Sequence, residues 1–339
     1  MSDGWKRQLD ALHEELVRRD DPAAWVREVD AVEASLRYPH LALRGPVFGI
    51  AVLDPARGPR WRLLKPVTDG MPQMARDGLN SHLWFTAKDE TDDPGVRREL
   101  LDAVAVLERE PADEIEACGV RYRVVRADEF TRVGEDGLEP PRPTDPEPME
   151  RSWDGRSRSG PLRDAGFVLD PRVTDGPAAG ALKLGLRTFS YMGERFPADV
   201  REDSERAVAS HPELVLLPTA FSVAERGGDG DWQPLGALMP TPHDARHMLY
   251  DGMNEIWAML YEYDAARKAR YAEAAAEYRA LERADEFRVD DRVFRICRVQ
   301  RMLRVGPDGP ETPRPSDVDE YGPMKMHPTM HEDGTIVHD

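Results

Sequence analysis

Cysteine is nearly absent from this sequence of 339 residues, which contains only Cys118 and Cys297. Neither belongs to a CxxC pair or to a spacing typical of zinc ligands. A chain of this length buries about three quarters of the surface of its unfolded state, so it can fold without disulfides. The cysteine content therefore favours a reducing compartment, and we expect a cytoplasmic protein.

Long apolar runs are missing as well. No run approaches the roughly 18 residues that a membrane-spanning helix needs, so no membrane span is expected. The stretch after Met1, SDGWKRQLD, has no apolar core of the kind found in secretion signals, and we expect no such signal there.

Basic residues are outnumbered: 64 Asp and Glu stand against 46 Lys and Arg, which gives a net charge of −18. A chain with this charge is repelled by nucleic acid phosphates and by anionic lipid surfaces. We therefore expect neither nucleic acid nor membrane as a partner. The expected partner is an unidentified protein or a small anion.

Diagnostic catalytic motifs are also lacking. The sequence contains no GxGxxG, no GxSxG, no kinase signature and no helix-turn-helix, and its loop ERGGDGDWQ lacks the lysine and the following helix of a phosphate-binding loop. We expect no cofactor. The preferred interpretation is a non-enzymatic binding or interaction protein, and the alternative is an enzyme that acts on a small anionic substrate held by arginines.

The chain does contain an internal repeat. VRYRVVRADEFTRVGEDGLEPPRPTD, which ends at Asp145, returns as RVFRICRVQRMLRVGPDGPETPRPSD, which ends at Asp317. At an offset of 172 residues, 13 of the 32 positions from Glu114 to Asp145 are identical. YPHLALRGPVFGIAVL and DGLNSHLW also return in the same order, as HPELVLLPTAFSVAE and DGMNEIWA. We infer a duplication into two copies, because a period this long indicates paired halves and not a solenoid.

Hairpin-joined strands and amphipathic helices within each copy predict an α+β fold of two duplicated halves, each an antiparallel sheet with packed helices. We expect four segments. They are a first half at 1–149, a Pro/Arg/Ser-rich linker with a connecting helix at 150–194, a second half at 195–323 and a C-terminal arm at 324–339. The composition of the linker predicts exposed and mobile chain over Met149–Arg163.

Arginines recur at every third residue of one predicted strand, from Arg292 to Arg304. Because side chains of a strand alternate, Arg292, Arg298 and Arg304 should share one face, and Arg295 and Arg301 the other. Three interpretations stay open: pairing with carboxylates across the sheet, a site for phosphate or carboxylate, and a nucleic-acid platform. The anion-site hypothesis uses arginines of both copies, namely Arg123, Arg126, Arg295, Arg298 and Arg304.

Two histidines four residues apart, His243 and His247, lie on one face of a predicted helix in the sequence HDARH. The spacing is similar to the zinc motif HExxH, with Asp244 in the place of the glutamate, so a zinc-dependent hydrolase is a remote alternative. Capping or surface histidines are the preferred interpretation. In the tail MHPTMHEDGTIVHD, the histidines and acidic residues form a loose cluster at which we expect only adventitious binding of a divalent metal, and the methionines are interpreted as packing of a docked arm and not as ligands.

The blocks FRICRVQRMLRVGPDGPETPRPSD, HPELVLLPTAFSVAE and HPTMHEDGTI are similar to those of a family of actinobacterial proteins, common in streptomycetes, that is known only as a domain of unknown function. The resemblance extends over most of the chain and is strongest after Gly166. It implies a bacterial protein, but it implies no activity, cofactor or catalytic residue.

Overall fold

A computed structural model describes residues 21–149, 152–153, 160–227 and 230–337 of the chain. The described residues form one large antiparallel sheet, helices that pack against it, and a separate two-stranded sheet. The α+β class predicted from the sequence is confirmed. No helix in these ranges is long and apolar enough to cross a membrane.

Four of the helices begin after a residue whose side chain caps them, and Pro follows that residue in three of the four. The side chains of Asp21, Asp93, Thr241 and Asp264 each accept a hydrogen bond from a backbone N–H of the helix that follows. The helices are α1 (Pro22–Arg37), α2 (Pro72–Asp89), α3 (Pro94–Leu107), α4 (Pro177–Leu186), α5 (Ala198–Ser210), α6 (Pro242–Asp251), α7 (Trp257–Leu260) and α8 (Ala265–Ala280).

A π-helical turn, Gly252–Ile256, joins α6 to α7. It lies at the Asp-Gly-x-Asn text of the second half, whereas the same text in the first half lies inside the continuous helix α2. A Cβ atom at Gly252 would lie 2.7 Å from the ring of Trp257, so only glycine allows this close approach.

The strands are β1 (His40–Leu53), β2 (Arg62–Leu63), β3 (Glu114–Ala117), β4 (Val120–Gly134), β5 (Gly137–Leu138), β6 (Glu213–Leu216), β7 (Ala220–Arg226), β8 (Trp232–Met239), β9 (Glu286–Val289), β10 (Arg292–Gly306), β11 (Gly309–Pro310), β12 (Thr329–Met330) and β13 (Ile336–Val337). The main path of the large sheet is β2-β1-β4-β10-β7-β8. Instead of two separate sheets, the two halves of the chain thus share one.

The halves meet where β4 pairs with β10. Ala127 lies opposite Leu303, and Glu129 lies opposite Arg301. Arg301 follows Glu129 by 172 residues, which is the offset of the repeated text. The centre of the shared sheet is therefore also the point at which equivalent positions of the two copies face each other.

The pairing registers on the two sides of this centre correspond. In the first half β1 pairs with β4 starting from His40 opposite Val133, and in the second half β6 pairs with β10 starting from Glu213 opposite Val305. A bulge after Leu43 shifts the register in the first half. A break between β6 and β7 produces the same shift in the second half.

Helices cover one face of the sheet. Apolar side chains of α2 and α3 pack on Ile50 and Tyr122, those of α6 and α8 pack on Phe221 and Phe294, and α4 packs on Phe130 near the centre. The opposite face is covered by non-helical chain, which includes Leu162 and Leu169 from the region between the halves.

Each half ends in a segment that packs on the other half. The arm after β5 brings Glu147 to the first turn of α6, where it accepts from the backbone N–H of His243. The arm after β11 brings Asp319 to the first turn of α2, where it accepts from the backbone N–H of Gln73. Glu147 and Asp319 are again 172 residues apart, so the two arms are exchanged in the same way.

One expectation about the ends of the halves needs revision. The segment 149–163 is not exposed throughout, because Leu162 is buried and Trp153 packs on the core around α6 and α8. Residues 150, 151 and 154–159 of that segment lie outside the described residues. In the C-terminal arm, Met330 of the small β12–β13 hairpin is buried against α2 and α3.

Candidate anion-binding site

Alternation along β10 divides its arginines between the two faces. Arg298 and Arg304 lie on the face that the helices cover, and Arg292 contacts Trp257 and Tyr271 there. Arg295 and Arg301 lie on the opposite face, beside Trp232 and Asp164. The guanidinium groups must therefore be considered separately.

Arg123 and its counterpart Arg295 are fully used within the fold. The Nε of Arg123 donates to Glu114 at 2.8 Å, and its Nη1 donates to the carbonyl oxygens of Asp308 and Pro310. Arg295 repeats this arrangement with Glu286 and with the carbonyl oxygens of Asp136 and Leu138. Both side chains hold the arm strands β11 and β5 against the sheet.

Arg126, on the helix face of β4, is paired to two carboxylates. Its Nη1 donates to Oδ1 of Asp128 at 2.8 Å, and its Nε donates to Asp317 at 3.0 Å. The hydroxyl of Tyr191 also donates to Oδ1 of Asp128, at 2.6 Å. Burial opposes the charge of Arg126, but these carboxylates outweigh burial and raise its pKa.

Among the described residues Arg304 has no carboxylate partner, but its guanidinium is bound by carbonyl groups. Its Nη2 donates to the carbonyl oxygens of Phe189 and Leu186, at and just beyond the C-terminal end of α4. A cation at the C-terminal end of a helix is favourable because the last carbonyl groups of the helix lack partners within it.

Arg298 occupies in the second half the position of Arg126, yet its guanidinium is incompletely paired. Its Nε donates to Asp145 at 3.2 Å and its Nη2 donates to Thr219 at 2.9 Å. Its Nη1 is buried and has no hydrogen-bond partner among the described residues. The cause lies two residues along the strand, where Gln300 stands in the place of Asp128, and Oε1 of Gln300 is likewise buried and unpartnered.

The environments of Arg126 and Arg298 can be compared residue by residue. We define the filled site by Arg126, Asp128, Arg304, Glu311, Arg314 and Asp317. We define the open site by the residues at the offset of 172 from these, namely Arg298, Gln300, Arg132, Glu139, Arg142 and Asp145. Three arginines and three carboxylates balance in the filled site, whereas the open site has three arginines and two carboxylates.

The open site faces a cleft of about 1280 Å³, and Arg132, Arg142, Arg298 and Gln300 are among the residues that line it. The other walls come from α1, from the start of α4 and from the chain between β6 and β7. Seven arginine or lysine side chains and five carboxylates line the cleft, counted over the described residues. This surface is thus locally positive although the chain as a whole carries a charge of −18.

Burial is the main reason why the pKa of Arg132 is lowered. Glu139 opposes the shift, whereas the charges of Arg142 and Arg298 add to it. The three guanidinium groups therefore repel one another in a partly dehydrated place. An anion that entered the cleft would relieve this repulsion.

The histidines of the HDARH sequence do not form a metal site with the described residues, in which no group of three metal-ligating side chains occurs. His243 contacts the carbonyl oxygen of Ser152 through Nε2, and His247 contacts Asp251 through Nδ1 and the carbonyl oxygen of Trp153 through Nε2. The two rings hold the exchanged arm, with Trp153 stacked on His247.

Analysis of the sequence selected Arg298 but missed Arg132, Arg142 and Gln300 as members of one site. A signal was present in the repeat itself. Within a block in which most charged positions are kept, Asp128 becomes Gln300, so one carboxylate is lost from a matched set of charges. Comparison of the two copies for unequal charge would have identified the position.

Comparison with known proteins adds a family and no activity. No curated protein and no solved structure matches the chain significantly. The model of a family of unknown function, DUF5954, matches residues 21–320, and the chain therefore belongs to the DUF5954 family.

Proposed function

We propose that this protein is a non-catalytic binding protein whose ligand is a small anion held in the open site. The observation that carries the proposal is the buried Nη1 of Arg298, which has no partner among the described residues and lines a cleft. A buried guanidinium donor without a partner costs free energy, which an anion bound in the cleft would recover.

The filled site supports the proposal as an internal reference. There the same arginine position has its Nη1 bound to a carboxylate, and six charged groups balance. Only one carboxylate is missing from the open site. A bound anion would supply the missing charge and a hydrogen-bond acceptor at the same time.

Binding is preferred over catalysis because of the groups that line the cleft. Its charged residues are arginines, one lysine and carboxylates, and no histidine is among the described residues that line it. The cleft therefore offers charge for holding an anion but little general acid or base chemistry near neutral pH.

We also propose that the protein arose by duplication of one half, with the boundaries expected from the sequence. The corresponding registers of β4 and β10 with their neighbours and the exchanged arms support this proposal. In this account the filled and open sites descend from two equal sites, one of which kept or acquired its own carboxylate.

The test is anion-dependent stability of the full-length protein at constant ionic strength, with acetate, citrate and inorganic phosphate as probes. A ligand present at a hundredfold excess over its Kd stabilises the folded state by about 2.7 kcal/mol. We expect such stabilisation in the parent and in Arg288→Ala, which removes the same charge from an exposed position on β9. We expect none in Arg298→Ala.

Loss of Arg298 also leaves the carboxylate of Asp145, which is largely buried, without its arginine, so Arg298→Ala can fold poorly. Arg298→Lys provides a second variant, because it keeps the charge and removes the Nη1 donor. If every anion stabilises the parent and both Arg298 variants equally, no anion is bound at this site and the proposal is wrong.

A further inference from the structure

We infer that the ligand of the open site is a carboxylate attached to an apolar body, and not an inorganic phosphate or sulfate. This inference rests on the proposed function and narrows it to a class of ligand. Three observations support it: the group that occupies the filled site, the number of charges and hydrogen-bond donors that lack a partner in the open site, and the size and apolar walls of the cleft.

The filled site shows which group this arrangement of arginines accepts. The group on Nη1 of Arg126 is a carboxylate, that of Asp128, which is itself bound by the hydroxyl of Tyr191. The two sites are built from equivalent positions on equivalent strands. The vacancy at Nη1 of Arg298 should therefore match a carboxylate in size and direction.

The open site lacks what a single carboxylate would supply, namely one negative charge and one hydrogen-bond acceptor. Within the site a single negative charge is missing relative to the filled site, and a single guanidinium nitrogen, Nη1 of Arg298, is buried and unpartnered among the described residues. Phosphate and sulfate carry more charge and need several donors around them. Of the other two arginines of the site, Arg142 already donates to Glu139 through Nε, and Arg132 donates to the carbonyl oxygen of Tyr38 through Nη1.

The cleft is far larger than a carboxylate group alone. Its volume of about 1280 Å³ exceeds the roughly 300–1,000 Å³ typical of sites for small organic ligands. Apolar side chains such as Phe167, Leu182 and Leu216 form part of its walls. A ligand that places its carboxylate on Arg298 would therefore lay an apolar body against these side chains, which contributes affinity by removing apolar surface from water.

The experiment is isothermal titration of the full-length protein with four probes: benzoate, acetate, inorganic phosphate and neutral benzamide. Benzamide matches benzoate in shape and lacks its charge. We expect benzoate to bind at least tenfold more tightly than acetate and phosphate, and benzamide to give no detectable binding. We expect the binding of benzoate to be lost in Arg298→Lys and kept in Arg288→Ala.

The outcomes separate this inference from the proposed function. If phosphate binds more tightly than benzoate and this binding is lost in Arg298→Lys, the inference that the ligand is a carboxylate is wrong, but the proposed anion site is supported. If benzoate binds no more tightly than acetate, the inference that the ligand has an apolar body is wrong. Absence of Arg298-dependent binding of any of the three anions would overturn both proposals.

Discussion

Gln300 follows Arg298 by two residues on the helix face of β10, as Asp128 follows Arg126 on β4. This one difference changes a site of six charges into a site of five. A neutral amide at this position leaves the neighbouring guanidinium with a donor that nothing in the described chain satisfies. Buried polar groups are usually paired with protein, water or a ligand, and here we favour a ligand because the donor lines a cleft.

A second residue-scale feature lies at the centre of the sheet, on the opposite face. Arg301 and Asp164 are both completely buried and bonded to each other, with Nη2 to Oδ1 at 2.9 Å. Removal of one partner leaves a buried charge without compensation, which costs about 3–5 kcal/mol. We expect Asp164→Ala to lose this much free energy of unfolding, measured by urea titration.

The matched control for Asp164→Ala is Asp136→Ala, which breaks the exposed pair of Asp136 with Arg37. Exposed pairs contribute little because water screens them. An Asp164→Ala protein as stable as Asp136→Ala would show that the central pair is not needed for the sheet to hold together.

Asp69, beside β1, predicts a pH dependence of stability. Burial raises its pKa to about 6, while Lys65 opposes the shift and Asp77 adds to it. Because the pKa is higher in the folded state, the stabilisation by Asp69 is present below about pH 4 and is lost as the pH rises through 6. We expect Asp69→Asn to be more stable than the parent at pH 8 by about 1–2 kcal/mol, after allowance for partial exposure.

The measurement for Asp69 is urea unfolding of the parent and of Asp69→Asn at pH 4 and at pH 8. The gap between the two proteins should widen at the higher pH. A constant gap would mean that Asp69 titrates equally in the folded and unfolded states.

Single-residue reasoning predicted the division of the β10 arginines between two faces, because alternation is a property of the strand alone. It could not predict their partners. Asp145 and Asp317, which pair with Arg298 and Arg126, lie more than 150 residues away in sequence. Sequence reasoning therefore could not decide which arginine was left with an unpaired donor.

At the scale of elements, the exchanged arms join the halves. Arg76 contacts Asp113 of its own half and Asp319 of the other, and Arg246 does the same with Asp285 and Glu147. Each arm thereby caps a helix of the opposite half and completes a buried network of charges. The arms are structural ties, which accounts for the Pro-rich text PPRPTD and TPRPSD that leads into them.

The C-terminal arm provides a test of this role. Met330 is buried against α2 and α3, next to Trp84, whose indole donates to the carbonyl oxygen of Pro328. We expect Met330→Ala to cost about 2 kcal/mol, the lower end for buried methionine, because a short hairpin can adjust. Met324→Ala, at an exposed position, should cost almost nothing.

Hydrogen exchange around Trp84 would measure the docking of the arm. Faster exchange in Met330→Ala than in Met324→Ala is the expected result. Equal exchange in the two proteins would indicate that the arm does not protect the first half.

Elements were predicted better than their contacts. Apolar spacing and turn residues are local signals, and they sufficed to predict the α+β class. The exchange of arms and the joining of two sheets were not predicted. An offset between two copies shows that they are alike, but it does not show which copy each arm contacts.

At the scale of the whole molecule, two similar halves share one sheet and differ in charge at its centre. At the centre, Glu129 faces Arg301 across paired strands and is bonded to Arg44. Two identical copies would place like charges opposite each other at this point. The two halves are thus nearly symmetric, but at the centre they carry opposite charges, which favours pairing of one half with the other.

A split chain tests this joining. We expect fragments 1–155 and 156–339, expressed together, to copurify as a complex of one copy each, because the paired strands β4 and β10 and both exchanged arms link them. Size-exclusion chromatography with mass measurement is the readout. Fragments that elute separately, or that form complexes only with further copies of themselves, would show that the paired strands and exchanged arms do not hold the halves together.

The central claim is that the open site binds an anion because it lacks the carboxylate that the filled site has. The most direct measurement is titration of Gln300→Asp with benzoate and with inorganic phosphate, beside the matched variant Gln300→Asn. In Gln300→Asp the new carboxylate should occupy Nη1 of Arg298 as Asp128 occupies that of Arg126, so binding should be lost and the melting temperature should not fall. Gln300→Asn should bind as the parent does. Binding by Gln300→Asp at the affinity of the parent would contradict the account.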